Sequence, residues 1–249
     1  MSERDYHDHH YESEAARIQG TPLFARVHDR AVQEFLHGTG IGRTSRVLSL
    51  GCGDGSIERR LAPHVGEIVG IDISPVAIER ARTQARQASL GNLSFLVSEP
   101  HSLPLSSAGT FDSIVAFAFL HHLSDPMIRD TFSAARAALR PGGVFYSSDP
   151  SRRRLVGLFS VLVRATYERY HSPDERELDP EALLALAQDA GFTSPRIAYV
   201  DYFLGPLAWL APGTPRGIVP VLAALDGLAL SVPLLRRFAS SFSLTMFAS

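Results

Sequence analysis

The chain has 249 residues, 45% of them hydrophobic, enough to bury one full core, with a length suited to one large domain. Its 24 basic residues nearly balance 26 acidic ones and the pI is near 6.5, so it carries no general attraction for nucleic acid, and a polynucleotide substrate is disfavoured. The single cysteine, Cys52, cannot form an internal disulfide, and "MSERDYHDHHYESEAARI" is too charged for a secretion signal, so a reducing cytoplasm is the expected compartment. The most lipid-like stretch, 203–235, is broken by Arg216, Asp226 and several prolines, well short of the ~18 to 20 uninterrupted apolar residues that span a bilayer.

From residue 45 onward, β-type runs alternate with helix-like segments, the pattern of a parallel sheet covered on both faces. Strands are expected at 46–50, 67–72, 93–97, 111–117 and 143–149. Ser74 as N-cap and Pro75 as first helical residue predict a helix over 74–88, and a second should run from Pro126 to Arg140, where "PGG" stops it. Asp179 as cap and Gly191 as terminator predict another short helix. A strand near 195–203 and a closing strand at 240–248 leave a helical insertion between them, its helices kept short by Pro206, Pro212, Pro215, Pro220 and Pro233.

"VLSLGCGDG" places Gly51, Gly53 and Gly55 at alternate positions after the first strand. Bare backbone there lets a nucleotide-like ligand approach the amides. Ser56 takes the sixth position of the dinucleotide pattern, so the match to that fingerprint is imperfect. Asp72 closes the second strand, where a carboxylate can accept from both hydroxyls of a ribose. Together they argue for an adenosine-bearing ligand.

"VLSLGCGDG", "VGIDISPVAIERAR", "LPL", "FDSIVAFAFLHHLSDP" and "ALRPGG", in this order over residues 44 to 150, resemble the successive motifs of class I S-adenosylmethionine-dependent methyltransferases. The resemblance implies an α/β, Rossmann-like, doubly wound seven-stranded sheet with the last strand antiparallel. It also implies S-adenosylmethionine as methyl donor and S-adenosylhomocysteine as product. Gly51, Gly53 and Gly55 would line the methionine and ribose side, with Cys52 among the cofactor contacts, Asp72 would take the ribose hydroxyls and Ile73 would pack on adenine. Glu99, with Pro100 and His101, stands where the family usually has an aspartate near the adenine amino group. Ala116 and Phe117 match positions whose backbone meets the methionine part. One departure is Ser49, at a place where the family usually shows an acidic residue.

Residues 1–40 are expected to form a helical lid, with Tyr11 and Arg17 contacting the cofactor, and 41–249 the methyltransferase domain, with acceptor-binding insertions near 151–180 and 204–238. A sulfonium methyl is already electrophilic, so the protein has mainly to align an acceptor and exclude water; no metal is required. If the acceptor is a hydroxyl, a base would help, and His121 and His122 are the catalytic candidates, beside His171 and Glu168. The histidine-rich "YHDHHYE" reads as a solvated surface rather than a metal site. His171, Tyr202 and Trp209 are candidate acceptor contacts. The arginine run Arg152, Arg153, Arg154 suits an anionic group or a solvated cluster.

The reading from sequence is methyl transfer to a small, hydrophobic or lipid-like acceptor at oxygen or carbon. Competing readings are methylation of a membrane-bound lipid or quinone precursor, and a non-catalytic cofactor-binding subunit. The apolar 204–238 segment suits a peripheral membrane contact or a homodimer face.

Overall fold

The computed structural model describes residues 8, 9, 11, 20–100, 109–154 and 175–249. Seven strands form one sheet: β1 Arg46–Leu50, β2 Glu67–Asp72, β3 Leu93–Val97, β4 Phe111–Phe117, β5 Leu139–Pro150, β6 Phe192–Asp201 and β7 Ser241–Ala248. Their order is β3-β2-β1-β4-β5-β7-β6. β1 to β5 pair in parallel, and β7 inserts antiparallel between β5 and β6. The expected doubly wound sheet with an antiparallel last strand is therefore present. The order reverses between β1 and β4, and a crevice opens beyond the C-terminal ends of strands at such a point.

Residues at alternate positions divide the sheet's two faces. Leu48, Leu50, Ile114 and Phe145 pack with Phe132 of one helix and Leu183 of another, while Val47, Val115 and Tyr146 pack with Val32 and Phe35 on the opposite side. The helices are α1 Pro22–Thr39, α2 Ser56–Leu61, α3 Pro75–Gln87, α4 Asp125–Ala138, α5 Pro180–Asp189, α6 Leu204–Leu210 and α7 Val219–Ser231. α1 belongs to the core: Phe35 is fully buried and meets Phe117 and Tyr146 at ring-centroid distances of 6.2 and 5.4 Å.

The sequence-derived caps are present. Ser74 Oγ accepts from the Ala77 amide at 3.0 Å, and the Asp179 carboxylate accepts from the Glu181 and Ala182 amides. Three boundaries differ from expectation, each for a tertiary reason. α4 stops at Ala138 because Leu139, 4% exposed, is taken into β5 opposite Phe111. β6 starts at Phe192, directly after Gly191 with its φ of 86°. It ends at Asp201 because the amides of Tyr202 and Phe203 donate to Asp226 Oδ1 at 3.0 and 2.8 Å.

Asp226, fully buried on α7, thus ties the insertion to the sheet, and Arg30 of α1 approaches its second oxygen at 3.5 Å. The opposite side of α7 is bare: Val221, Leu225 and Leu228 are 57%, 45% and 67% exposed, and Leu234 beyond it is 74% exposed. Among the described residues no helix is long and apolar enough to cross a membrane.

Candidate active site

β1 delivers the chain into the glycine turn, where Gly51, Gly53 and Gly55 all take positive φ, at 64°, 53° and 73°. Space adds a second requirement for glycine at all three positions, a Cβ on Gly55 falling 2.8 Å from the Phe95 ring. A Cβ on Gly51 would fall 2.1 Å from the Phe119 ring, and one on Gly53 would fall 2.1 Å from the Tyr11 hydroxyl. β1 and β2 pair with Leu50 opposite Ile71, which brings the tip of β2 beside this turn. There Asp72 accepts from the Gly53 amide through Oδ2 and from the Ser74 amide through Oδ1, both at 2.9 Å.

The described part of the N-terminal arm meets the same place. The Ser74 hydroxyl donates to Asp8, and Tyr11 lies over Gly53; enclosure, then the charge of Asp72, pushes the Tyr11 phenol well above its usual range. Cys52 is held by a 3.0 Å bond from its amide to the Ile71 carbonyl, and burial raises its thiol, so it stays neutral.

Tyr11, Gly51, Cys52, Gly53 and Asp72 are thus brought together. Ile73 follows directly, half-buried, and a 2.9 Å bond from the Ser98 amide to the Asp72 carbonyl draws the segment of Glu99 and Pro100 to the end of β2. Ala116 and Phe117, buried, end β4. Arg17 and His101 lie outside the described residues.

A bare-backbone turn next to a strand-tip carboxylate has the chemistry a nucleoside requires: amides without a Cβ in the way, and an acceptor for paired hydroxyls. The same crevice holds a buried acid that the sequence reading did not single out. Glu58 of α2 is 2% exposed, and its Oε1 accepts a 2.6 Å hydrogen bond from Ser49 Oγ. Burial pushes its carboxyl up to about 7, with the Ser49 bond opposing.

On the other side of the β1–β4 junction, Ala118 adopts a φ of 47°, unusual for a residue with a Cβ, and its amide donates to the Ser148 carbonyl at 2.8 Å. Asp149, at the end of β5 and 1% exposed, organises the turn beyond β4. Its Oδ1 accepts from the Phe119 and His121 amides, each at 3.2 Å, and lies 3.1 Å from His121 Nδ1. His121 and His122 stack with ring centroids 4.2 Å apart, and Glu175 stands 3.9 Å from His121 Nε2 and 3.8 Å from His122 Nδ1. These three side chains place donor atoms within 4.8 Å of one another, the one grouping of this kind among the described residues.

Between α1, α6 and the ends of β4, β5 and β6 lies a cavity of about 230 Å³. Phe24, Ala31, Leu204 and Trp209 give it apolar walls, and His28, Asp149 and Arg154 supply polar groups. Phe24 meets Trp209 edge-on at 4.8 Å. His28 is held down to about 4 by desolvation first and by Arg60 second, so its imidazole is neutral at pH 7. Arg154 is paired with Glu177.

Trp209 is thus on the cavity wall, whereas the Tyr202 hydroxyl donates to the Leu235 carbonyl and Tyr202 is not among the wall residues. His121 and His122 reach the cavity's edge only through Asp149. His171 and Glu168 lie outside the described residues. His28, Asp149 and Ala118 were missed from sequence. For His28 the only signal is its place four residues after Phe24, on one face of a helix.

Residues 47–143 match the family model described as a methyltransferase domain. The chain therefore contains a methyltransferase domain of the S-adenosylmethionine-dependent kind, a domain of methyl transfer. Among curated proteins it is similar to the "Ubiquinone biosynthesis O-methyltransferase" of Psychrobacter arcticus, 29% identical over 174 residues, which cover 67% of this chain and 66% of that protein. Two solved structures share the fold. A SAM-dependent methyltransferase from Aquifex aeolicus has 17% identity and a TM-score of 0.62, covering 95% of this chain and 100% of that one. A Haemonchus contortus phosphoethanolamine N-methyltransferase in complex with S-adenosylhomocysteine has 15% identity and a TM-score of 0.68, covering 100% of this chain and 61% of that one.

Proposed function

We propose that this enzyme methylates a hydroxyl on a small, hydrophobic acceptor, of the size and character of a hydroxylated aromatic or quinone precursor. The observation that carries this reading is the cavity beside Phe117 and Ala118: mostly apolar walls, about 230 Å³, with the Asp149 carboxylate at its edge. The similarity to an O-methyltransferase of ubiquinone biosynthesis points the same way.

When bound, S-adenosylmethionine supplies an electrophilic methyl on sulfur. In the proposed site Gly51, Gly53 and Asp72 hold its nucleoside, Ile73 and Glu99 flank the base, and the backbone at Ala116 and Phe117 borders the methionine part. Tyr11, lying over Gly53, helps to keep water out. Phe24, Leu204 and Trp209 orient the acceptor by excluding it from solvent. Asp149 fixes His121 through Nδ1, and this pair takes the hydroxyl proton as the oxygen attacks.

Incubation with methyl-labelled S-adenosylmethionine and a panel of apolar phenols tests the reading. Labelled ether products are expected; label only on carbon or nitrogen acceptors would reject it. The bare outer side of α7, with Val221, Leu228 and Leu234 exposed and Arg236 and Arg237 just beyond, favours a second element: acceptors drawn from a bilayer surface. Co-flotation with anionic liposomes is the expected result, and absence of flotation would limit the acceptors to water-borne ones.

A further inference from the structure

Glu58 leaves a structural question that the proposed roles do not answer. Its Oε1 is engaged by Ser49, but its Oε2 is buried without a hydrogen-bond partner among the described residues. A buried carboxyl with one oxygen lacking a hydrogen-bond partner is costly unless it takes up a proton or a donor or cation meets it. The nearby cations are committed elsewhere. Arg59 donates to the Asp54 carbonyl at 2.7 Å, and Arg60 donates to Asp29 and to the Ser56 carbonyl, both at 2.9 Å. Of the other described groups that bear on its charge, Tyr11 and Cys52 are neutral and Asp54 is acidic. Among the described residues Glu58 Oε2 is thus left as an unmatched acceptor close to the glycine turn, and a ligand with an ammonium group would complete it.

We infer that Glu58, presented by α2 and oriented by Ser49, is the acceptor for the α-ammonium of the cofactor's methionine moiety. The inference rests on the cofactor assignment of this crevice and adds to it a residue from outside the glycine motif. It also gives Ser49 a role. An acid at position 49 would stand within hydrogen-bonding reach of Glu58, and two carboxylates so close cannot both ionise. Serine instead donates to Glu58 and leaves one charge. The acid has, in effect, moved from the strand to the helix, and either position can hold it, but not both.

The test is calorimetric titration of the full chain with S-adenosylhomocysteine and with methylthioadenosine, which keeps the nucleoside and thioether but lacks the amino acid. Glu58→Gln is expected to weaken S-adenosylhomocysteine by about 10- to 100-fold and to leave methylthioadenosine within about twofold. Ser49→Asp alone is expected to weaken S-adenosylhomocysteine selectively as well. The double variant Ser49→Asp/Glu58→Thr should recover affinity to within about fivefold of the parent, a coupling that independent sites do not show. Equal losses for both ligands, no loss for either, or a double variant worse than both singles would overturn the assignment. A parent chain that binds neither nucleoside would instead remove the cofactor assignment itself.

Discussion

Asp149 Oδ1 lies 3.1 Å from His121 Nδ1 and accepts from two backbone amides as well, so one buried oxygen sets both the path of the chain after β4 and the orientation of an imidazole. The carboxylate comes from β5 and the histidine from the turn beyond β4, strands that pair in parallel with Phe117 opposite Ser148. In the proposed site, function and fold are therefore coupled at Asp149. Asp149→Asn keeps an oxygen acceptor but loses the charge, and is expected to lower kcat by on the order of 10²-fold with a small change in Tm. Asp149→Ala removes the acceptor altogether and should cost about 3 kcal/mol in urea unfolding. Steady-state rates beside melting curves separate the two effects.

Asp72→Ala removes the acceptor shared by the Gly53 and Ser74 amides and, in the proposed site, the partner of the ribose hydroxyls. S-adenosylhomocysteine affinity should fall by on the order of 10²-fold, given roughly 1.5–3 kcal/mol for each hydrogen bond to a charged group. Calorimetry with unchanged affinity would rule out the assigned role. Gly53→Ala should be at least as damaging, because it meets both the positive φ and the Tyr11 hydroxyl.

Stability should respond to pH through two opposed groups. Glu58 rises from 4.5 to about 7 on folding, so between those values the folded chain holds the extra proton and stability falls as pH rises. His28 drops from 6.5 to about 4, so between those values the unfolded chain holds the extra proton and stability falls as pH drops. Over the shared window from 4.5 to 6.5 the two slopes offset each other. Glu58→Gln should unmask a stability that climbs with pH, and His28→Gln one that declines, each by up to about 1.4 kcal/mol per pH unit. Denaturant midpoints measured across that range for both variants provide the check; parallel profiles for the two would contradict the assigned shifts.

Trp209→Phe trims the cavity wall while keeping an aromatic partner for Phe24. Bulkier phenols should gain in kcat/KM relative to small ones, by about 10-fold for the first added group that the parent wall excludes. Competition assays with a graded series of acceptors measure this directly, and an unaltered size preference would remove Trp209 from the acceptor wall.

A large part of the fold was legible in the residues. The runs at 46–50, 67–72, 93–97 and 111–117 coincide with β1 to β4 because each is a short, mainly apolar run bounded by turn residues, buried on both faces in β1 and β4 and an exposed edge in β3. Ser74 and Asp179 were readable as caps because capping is settled within one helical turn. Gly53 and Asp72 were readable as partners through the motif resemblance, and the β1–β2 pairing places them together. Leu139 reads as helical in the sequence because only its pairing with Phe111, distant in the chain, distinguishes the two states.

By itself, then, the sequence determined the class of fold, the strand–turn–helix that begins the cofactor crevice, and the acid at the tip of β2, since each depends on residues near one another in the chain. Tertiary structure alone decided that Glu58 faces Ser49, that Asp149 aims His121, and that His28 and Trp209 share a cavity wall. Those side chains come from different elements, in the last two cases well separated in sequence, and no local periodicity records which ends of a folded sheet converge.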